Sequence, residues 1–348
     1  MQQFTKRVFT PTLVAGALAL AFASLSGGAL AQDDEVYKLR IQTHYGPEQT
    51  SGKLAAQFVD DVQTMSNGQI EIEMFYSSSV VKSVETFDAA ATGILDGDMT
   101  GGAYQTGKDP AFQFVGDVMG GYDTPYQVLA WGANGGYDVA QELYNEYDMQ
   151  LVGWWVYGQE SMTSAKPLAG PADLKDWKFR SPPGMETKIF ENLGAKPVVM
   201  DFTEVFTALE TKIIDGADYS GLANDVSIGL FDLVKHATYP GFHSMPMDHL
   251  AINKNKWDEL PEHLQRIIEV AMRKLALDTA LTFEVENARA AADLPEQGVT
   301  LYDWSDEDRK VFRGAAQDAW AEFAQGSDMA QKLVESHNEF LQLLGISD

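Results

Sequence analysis

Cysteine is absent from the 348-residue chain, and positively charged residues are scarce. A chain without thiols forms no disulfide, no thiolate metal site and no cysteine nucleophile. Lysine and arginine number 25 against 51 aspartates and glutamates, which gives a formal net charge of −26. Such a surface repels anionic lipid and lacks the positive charge that holds nucleic-acid phosphates. These absences exclude nucleic-acid-binding proteins, zinc ribbons and thiol enzymes.

The common motifs of hydrolases are also missing. The six histidines show no HExxH or related metal spacing, and there is no GxSxG elbow and no P-loop. Glu204 and Glu210 could be read as a glycosidase acid/base pair, but they flank one predicted helix. A secreted hydrolase therefore remains as an alternative. That alternative requires catalytic turnover and a pair of titratable side chains whose pKa values are displaced.

Residues 1–31 have the three parts of an export signal. Lys6 and Arg7 form a basic start, residues 13–25 are an uncharged apolar run, and residues 29–31 (ALA) give a small-x-small cleavage site. The apolar run is shorter than the roughly 20 residues needed to cross a bilayer. We therefore expect cleavage before the next residue and a mature protein in the periplasm.

Two segments of the mature chain alternate with the period of β-strands, Lys38–His44 and Gln69–Tyr76. Between them apolar residues recur at steps of three and four as far as Met65. This pattern predicts an amphipathic helix, with Thr50 or Ser51 as its N-cap. Strand, helix and strand at this spacing are the unit of a largely parallel α/β sheet.

An internal repeat is the most informative feature of the sequence. Residues 87–102 and 206–221 align without a gap and share seven identities. Each copy predicts a helix that ends at Asp-Gly, then a short strand and a loop of small residues. Because ligands bind beyond the carboxyl ends of strands in such sheets, we expect two similar lobes with Gly102 and Gly221 on opposite walls of one cleft. A chance similarity of two helix-to-strand turns stays open as the alternative.

The C-terminal third has the pattern of long helices. Pro261 is placed to open a helix whose apolar stripe continues to about Asp293, which gives a length of roughly 45–50 Å. Such a helix could reach across both lobes. Ser305 followed by Asp308 predicts a capping box at the start of the next helix, and a last helix covers roughly residues 329–344.

Several segments together resemble a known family. Residues 172–180 (ADLKDWKFR), residues 194–198 (GAKPV) and residues 204–218, which contain EVFTALE and DGAD, are similar to the signature of the solute-binding proteins of TRAP transporters. The resemblance implies an α/β, two-lobed periplasmic binding protein with a central cleft, a long connecting helix and a helical C-terminus. Residues 235–243 (KHATYPGFH) resemble the branch that binds 2-oxo and 2-hydroxy acids, in which a metal ion can bridge ligand and protein.

The resemblance also implies an organisation and a role. Trp154 and Trp155 are expected to open the second lobe's first strand. The ligand is expected to be a 2-oxo or 2-hydroxy monocarboxylate, with a sulfonate or an aromatic acid as the alternative. The partners are the small and large membrane subunits of the transporter, and the protein is a monomer or a homodimer. The predicted parts are a signal peptide (1–31), a first α/β lobe (32–152), a second α/β lobe (153–240) and a return segment with C-terminal helices that contribute to both lobes (241–348).

Arg180 is the first candidate for the binding site. It closes an apolar-flanked predicted strand just before the turn sequence of residues 181–184 (SPPG). A guanidinium grips a carboxylate with two parallel charge-assisted hydrogen bonds, and the matching arginine does so in the family that this chain resembles. An acidic protein can still bind an anion at such a site, because charges beyond a Debye length of about 8 Å are largely screened.

Three further positions match the metal-using branch. Gln159, Asp218 and Tyr219 stand where that branch supplies a side-chain amide, a carboxylate and a backbone carbonyl, which are oxygen ligands suited to Na⁺ or Ca²⁺. Tyr219 replaces a common tryptophan, and Ser244 replaces a common glutamate. Loss of one carboxylate weakens a divalent site, so both a metal-bridged and a metal-free site stay open.

Position alone suggests four more contacts. Tyr104 follows the first repeat and Tyr219 lies in the second, and aromatic rings with a polar edge suit a closed cleft around a small acid. His44 ends the first predicted strand, and Asn224 lies in the loop after the second repeat. We expect all four to contact the ligand.

Overall fold

A computed structural model of the protein describes residues 35–346. The predicted export signal, residues 1–31, lies outside the described residues. Val36–Asp348 forms one compact unit. Within the described part of the chain, no helix has the length and apolar character that a membrane crossing requires.

Eleven strands of the described chain form two mixed sheets. The first has the order β2-β1-β3-β10-β4, with β1 parallel to β2 and β3, and β10 antiparallel to its neighbours. The second has the order β11-β9-β5-β8-β6-β7, with β6 parallel to β7 and β8. The strands are β1 (Tyr37–Thr43), β2 (Ile70–Phe75), β3 (Gly97–Met99), β4 (Met149–Trp155), β5 (Ser161–Ser164), β6 (Lys178–Ser181), β7 (Lys196–Val199), β8 (Gly216–Ser220), β9 (His236–Thr238), β10 (Asp248–Asn253) and β11 (Thr300–Tyr302).

Helices pack around both sheets, and short 3₁₀ turns join several of them. This confirms the predicted α/β class, the long helix and the helical C-terminus. The α-helices are α1 (Thr50–Met65), α2 (Thr86–Ala91), α3 (Phe112–Gly116), α4 (Pro125–Trp131), α5 (Tyr137–Asn145), α6 (Met185–Asn192), α7 (Val205–Glu210), α8 (Leu222–Ser227), α9 (Leu230–Leu233), α10 (Lys254–Glu259), α11 (Glu262–Asp293), α12 (Asp306–Ala324) and α13 (Asp328–Leu343).

The chain crosses between the sheets in two extended segments and one helix. Residues 156–160 lead from β4 to β5, and residues 239–247 lead from β9 back to β10. The two segments are joined where the Glu160 amide donates to the Ser244 carbonyl at 2.9 Å. Helix α11 packs against β4 and α1 and, further along, against α8. A movement of one sheet against the other has to be accommodated by these connections and by the short link from α12, which packs against α6, to α13, which packs against α3 and α5.

The two repeat copies adopt the same turn. In each, a threonine that caps the helix end donates to the carbonyl four residues earlier, at 2.7 Å from Thr92 to Asp88 and at 2.7 Å from Thr211 to Thr207. Each copy then enters a strand through Asp-Gly, which leads into β3 in the first sheet and into β8 in the second. The repeat in the sequence therefore corresponds to a repeat in the structure.

Two local predictions need correction. The N-cap of α1 is Gln49, not Thr50 or Ser51. The Gln49 side chain is engaged elsewhere, since its amide donates to the Tyr219 hydroxyl at 2.9 Å. The strand of Trp154, which the sequence assigned to the second lobe, is β4 and pairs with β10 in the first sheet. The lobe boundaries themselves stay a prediction.

The C-terminal predictions hold in detail. Helix α11 begins after Pro261, its N-cap, and ends at Asp293. Helix α12 is capped by the Ser305 hydroxyl, which accepts from the Asp308 amide at 3.2 Å. These signals are local, which explains why the sequence alone located them.

Candidate functional site

A cavity of about 40 Å³ lies between the two sheets. His44 follows β1 and Asp248 begins β10 on one side, while Arg180 in β6 and Asp218 in β8 line the other. A water molecule needs about 10–15 Å³ of such space, so this volume matches a ligand of only a few non-hydrogen atoms. The wall therefore joins the ends of strands from both sheets.

Arg180 is almost completely buried at the centre of this wall, with 3% of its surface exposed. Its Nη1 donates to the Asp218 carbonyl at 2.8 Å, and its Nε lies 3.5 Å from the Met200 carbonyl. A guanidinium has five N–H donors, so these backbone bonds fix its direction and leave others for the cavity. The predicted position of Arg180 in a closed cleft is thus what the structure has.

Aromatic rings cover one face of the cavity. Phe202 stacks on Tyr219 with ring centroids 4.1 Å apart, and the Arg180 guanidinium lies 5.8 Å from the Phe202 centroid. Tyr104 and His44 face each other at 5.7 Å. Tyr104, Tyr219 and His44, all predicted as contacts, line the cavity.

His44 carries no charge at neutral pH. Burial, and next to it the positive charge of Arg180, lower its pKa to about 3. Its Nδ1 has no hydrogen-bond partner among the described residues. A neutral imidazole can either donate or accept, so His44 can bind a polar ligand atom without adding charge.

Acidic side chains dominate the opposite face. Asp218 is buried, and its Oδ1 lies 3.2 Å from Nε2 of His243. Burial opposes ionisation of Asp218, but His243 and then Arg180 outweigh it and hold its pKa below the usual range. Glu160 and Glu186 are also buried, and burial together with the Asp218 charge raises the pKa of both well above that of a free glutamate.

Ser244 connects two more carboxyl groups. Its hydroxyl lies 2.7 Å from Asp117 Oδ2, just after α3, and 2.7 Å from Glu160 Oε2, on the other crossing segment. The second oxygen of Glu160 accepts from the Tyr157 hydroxyl at 2.6 Å. Burial raises the pKa of Asp117 to about 7. The serine that replaces the family's glutamate thus organises carboxyl groups supplied by other parts of the chain.

Two predicted contacts lie outside the cavity lining. The Gln159 amide donates to the Tyr122 carbonyl at 3.2 Å, and its neighbour Glu160 lines the cavity instead. The buried Asn224 amide donates to Ser51 and Ser220 at 3.0 and 2.9 Å, so it ties α8 to α1. Neither side chain is among those that face the cavity.

The two loop glycines are also displaced from their expected place. Gly101, not Gly102, lines the cavity. A side chain at Gly102 would meet His249 and Tyr144, and one at Gly221 would meet Asn287 of α11. The loops approach the cleft as expected, but these two positions pack against the body of the protein.

A metal ion would find a different ligand set from the predicted one. Oxygen and nitrogen atoms of Glu160, Asp218 and His243 lie within 4.8 Å of one another. Carboxylate oxygens suit Na⁺ or Ca²⁺, and Asp218 is common to the predicted and observed sets. Gln159 is directed elsewhere. The residues present fit a hard cation, which Glu160 and Asp218 would hold.

The acids Asp117, Glu160 and Glu186 were not predicted. No local signal separates them from the other acids among the 51 of the chain. Their burial depends on which segments the fold brings together. Glu204 and Glu210, the suggested hydrolase pair, are exposed and do not line the cavity, and Glu204 pairs with Lys82 at 3.5 Å.

Known families, sequences and structures include relatives of this chain. The family model for bacterial extracellular solute-binding protein, family 7 (DctP), matches residues 41–326. A monocarboxylate 2-oxoacid-binding periplasmic protein of a Nostoc species is 25% identical over 290 residues, which cover 80% of this chain and 77% of that protein.

Solved structures agree with this assignment. An apo, open TRAP periplasmic solute-binding protein of Rhodobacter sphaeroides is 35% identical, with a TM-score of 0.70 over 89% of this chain and 99% of that one. One from Pseudoalteromonas atlantica, with bound sodium and pyruvate, is 24% identical, with a TM-score of 0.81 over 90% and 96%. The chain therefore belongs to the DctP family of TRAP solute-binding proteins, which are binding receptors and not enzymes.

Proposed function

We propose that the protein is the extracytoplasmic solute-binding subunit of a TRAP transporter, and that Arg180 holds the carboxylate of a small organic acid. The buried guanidinium in a cavity between two sheets carries this proposal. Two backbone carbonyls orient Arg180 before any ligand arrives. A pre-oriented, desolvated cation binds an anion more strongly than a mobile surface cation does.

Capture is by closure of one sheet against the other. Ligand groups that contact both walls favour the closed arrangement by their differential contacts. The crossing segments 156–160 and 239–247 are where the backbone would turn. The open apo relative superposes less well than the pyruvate-bound one despite its higher identity, which supports such a movement in the family.

Short monocarboxylates, above all 2-oxo and 2-hydroxy acids, are the first ligand class to consider. The names of the Nostoc relative and of the Pseudoalteromonas structure support this class, and so does the small cavity. With a ligand of this class, a sodium or calcium ion bridges the acid to Glu160 and Asp218. A sulfonate or an aromatic acid is the alternative anion, and an aromatic ring needs a wider cavity.

Location and partners follow from the family role. The export signal directs the chain to the periplasm, and the closed form docks on the small and large membrane subunits, which take up the ligand using an ion gradient. The protein works there as a monomer or a homodimer.

Calorimetric titration of the mature protein tests the proposal. The protein is first unfolded and refolded to remove any carried ligand. Pyruvate, lactate, longer 2-oxo acids, aromatic acids and small sulfonates are then added, each with Na⁺, Ca²⁺ or a chelator. We expect saturable binding of a short carboxylate, lost in Arg180→Gln. Binding of a sulfonate alone would change the ligand class, and absence of binding by every anion would refute the role of Arg180.

A further inference from the structure

The cavity holds more buried acid than its single arginine can balance. Five buried carboxyl groups line it together with Arg180. Asp248 accepts from the Tyr45 hydroxyl at 2.7 Å, and the other four are those of Asp117, Glu160, Glu186 and Asp218. Burying unpaired carboxylates is costly, so such groups take up protons or are met by another positive charge. A simple monocarboxylate bound at Arg180 would add one more negative charge to this wall.

The hydroxyl of Ser244 makes the need for a further positive charge explicit. It has one proton and lies 2.7 Å from both Asp117 Oδ2 and Glu160 Oε2. A hydroxyl has one proton to donate, so it cannot satisfy both carboxyl oxygens at once. Without a ligand, this corner of the site is therefore short of a hydrogen-bond donor.

Glu186 is a second site of the same kind. It is 2% exposed, and no donor among the described residues reaches either of its carboxylate oxygens. Its carboxyl group approaches that of Asp218, whose Oδ2 also has no donor within the described chain. Two carboxyl groups this close require a proton or a cation between them. Glu186 and Asp218 both line the cavity, and their unpartnered oxygens are shielded from solvent.

The rest of the lining favours an organic cation. The rings of Tyr104, Phe202 and Tyr219 border the same space, and aromatic faces attract ammonium groups. An ammonium group offers several N–H donors to acceptors on different sides. A calcium ion prefers six to eight oxygen ligands at 2.3–2.6 Å, which aromatic rings cannot supply.

We propose that Asp117, Glu160, Glu186 and Asp218 form a cation subsite, and that the ligand is a zwitterion whose positively charged nitrogen occupies it while its carboxylate lies on Arg180. The inference rests on the proposed function and narrows it. A zwitterion adds no net charge to the cavity, and its nitrogen supplies the hydrogen-bond donors that the acids lack. Because Glu160 and Ser244 lie on the crossing segments, the nitrogen would also draw the hinge together.

Matched ligand pairs test the subsite. Each 2-amino acid of two to six carbons, and its N-methylated betaine, is compared by calorimetry with the 2-hydroxy acid of the same skeleton. A chelator is present throughout, and the measurements are repeated with Na⁺ and Ca²⁺. We expect at least one zwitterion to bind tenfold or more tightly than its hydroxy-acid partner without metal.

Neutral variants assign the effect to the acids. In the presence of chelator, Glu186→Gln and Glu160→Gln should each reduce the preference for the zwitterion over its hydroxy-acid partner at least tenfold. Asp225→Asn is the matched control, because Asp225 is fully buried and without a hydrogen-bond donor in the described chain but does not line the cavity. A thermal melt of each variant shows that it is folded.

The outcomes separate the subsite from the role of Arg180. If hydroxy or oxo acids bind only with Na⁺ or Ca²⁺, the acids hold a metal ion and the zwitterionic ligand is wrong. If zwitterion and hydroxy acid bind equally in chelator and in Glu186→Gln, there is no cation subsite, although the carboxylate site stands. If Arg180→Gln retains the affinity of the wild type, the proposed function itself fails.

Discussion

Gln42 in the first sheet and Arg180 in the second occupy matched positions with opposite consequences. Gln42 pairs with Asp98 of β3, and Arg180 pairs with Ala217 of β8, the residue that corresponds to Asp98 in the repeat. The strands on both sides are parallel in each case. One lobe thus places a neutral amide where the other places a guanidinium.

The partners of the two side chains are matched as well. The Gln42 amide donates to the Val81 carbonyl at 2.9 Å and accepts from the Val80 amide at 3.0 Å. Arg180 lies 3.5 Å from the carbonyl of Met200, which is the repeat counterpart of Val81. The Gln42 side-chain amide makes its hydrogen bonds to backbone groups, whereas the longer, charged Arg180 side chain keeps N–H donors that these carbonyls do not use. The same scaffold therefore satisfies the side chain within the core at Gln42 and places Arg180 in the wall of a cavity.

Each sheet also has an aspartate–histidine pair, and the aspartate of the second, Asp218, lies one position after the counterpart of Asp98. Asp98 contacts His249 at 2.8 Å, and the other ring nitrogen of His249 lies 2.6 Å from the Tyr144 hydroxyl. Asp218 contacts His243 at 3.2 Å, but Nδ1 of His243 has no partner among the described residues. Repeat identities mark the turn, whereas the cavity-lining Asp218 and Tyr219 lie where the copies differ.

Replacing Arg180 with the residue found at the matched position of the first sheet should have the largest effect on ligand binding. Arg180→Gln installs the residue of the first lobe and leaves a desolvated carboxylate without its partner, a loss of about 2–5 kcal/mol in binding free energy. Calorimetric titration measures it. Arg40→Gln is the control, because Arg40 is largely exposed and pairs with Asp96 away from the cavity. Equal losses in both variants would contradict a specific role.

The two glycines of the Asp-Gly turns should differ in their tolerance of a methyl group. A Cβ at Gly216 would lie 2.4 Å from the Thr163 carbonyl and 2.5 Å from Trp177, but one at Gly97 meets the flexible Ile41 side chain at 3.0 Å. Overpacking typically costs about 1–3 kcal/mol. We expect Gly216→Ala to reach the upper end and Gly97→Ala the lower, as measured by urea unfolding. Equal losses would show that the two strands are packed alike.

The acids of the cavity should make the ligand-free protein less stable as pH rises from 6.5 to 8.5. Burial raises the pKa of Asp117 and Asp248 to about 7, whereas an unfolded aspartate ionises near 4. The folded protein therefore holds protons that the unfolded chain has released, and this stabilisation is lost as pH passes the folded pKa. His44 and His337, with pKa values lowered to about 3, weaken the fold only below about pH 6.5.

Melting temperatures across that range test the effect of pH. Asp117→Asn should show a smaller decrease than the wild type, because the asparagine has no proton to lose. A decrease of the same size in the variant would remove Asp117 as its cause.

The smallest expected change in stability is at the residue of each turn that has a left-handed backbone conformation. It is Gly93 in the first copy, at φ +82°, and Lys212 in the second, at φ +58°. A side chain in this conformation costs roughly 1–2 kcal/mol, and glycine's extra freedom in the unfolded chain returns about half of that. Lys212→Gly should stabilise by under about 1 kcal/mol and Gly93→Lys should destabilise by about as much, in the same urea assay. A destabilising Lys212→Gly would mean that the lysine stem contributes packing.

Local signals explain what the sequence alone could predict. Helix α11 has a proline at its start and a regular apolar stripe, and the repeat carries its turn in adjacent residues. Arg180 could be predicted from the sequence for the same reason, since the end of a strand and a family motif coincide there. Each of these features depends on residues close together in the chain.

The acidic wall could not be predicted because it depends on long-range packing. Asp117 and Ser244 are 127 residues apart and meet only when the crossing segment returns to the first sheet. Gln159 was chosen and Glu160 overlooked because neighbouring side chains in an extended segment point to opposite sides. A shift of one residue exchanged an amide for a carboxylate, and with it the charge of the site.

Helix α11 is a continuous helix of fixed length that contacts both halves of the molecule. Its 32 residues extend about 48 Å without a break. One half is fastened to the first sheet, where Lys274 pairs with Asp61 at 2.8 Å, and the other to the second, where Asn287 accepts from the Ala223 amide at 2.9 Å. Paired spin labels on this helix should keep their separation when ligand binds, while labels across the cleft should not. The distance between labels on α11 is thus an internal reference against which the extent of closure can be measured.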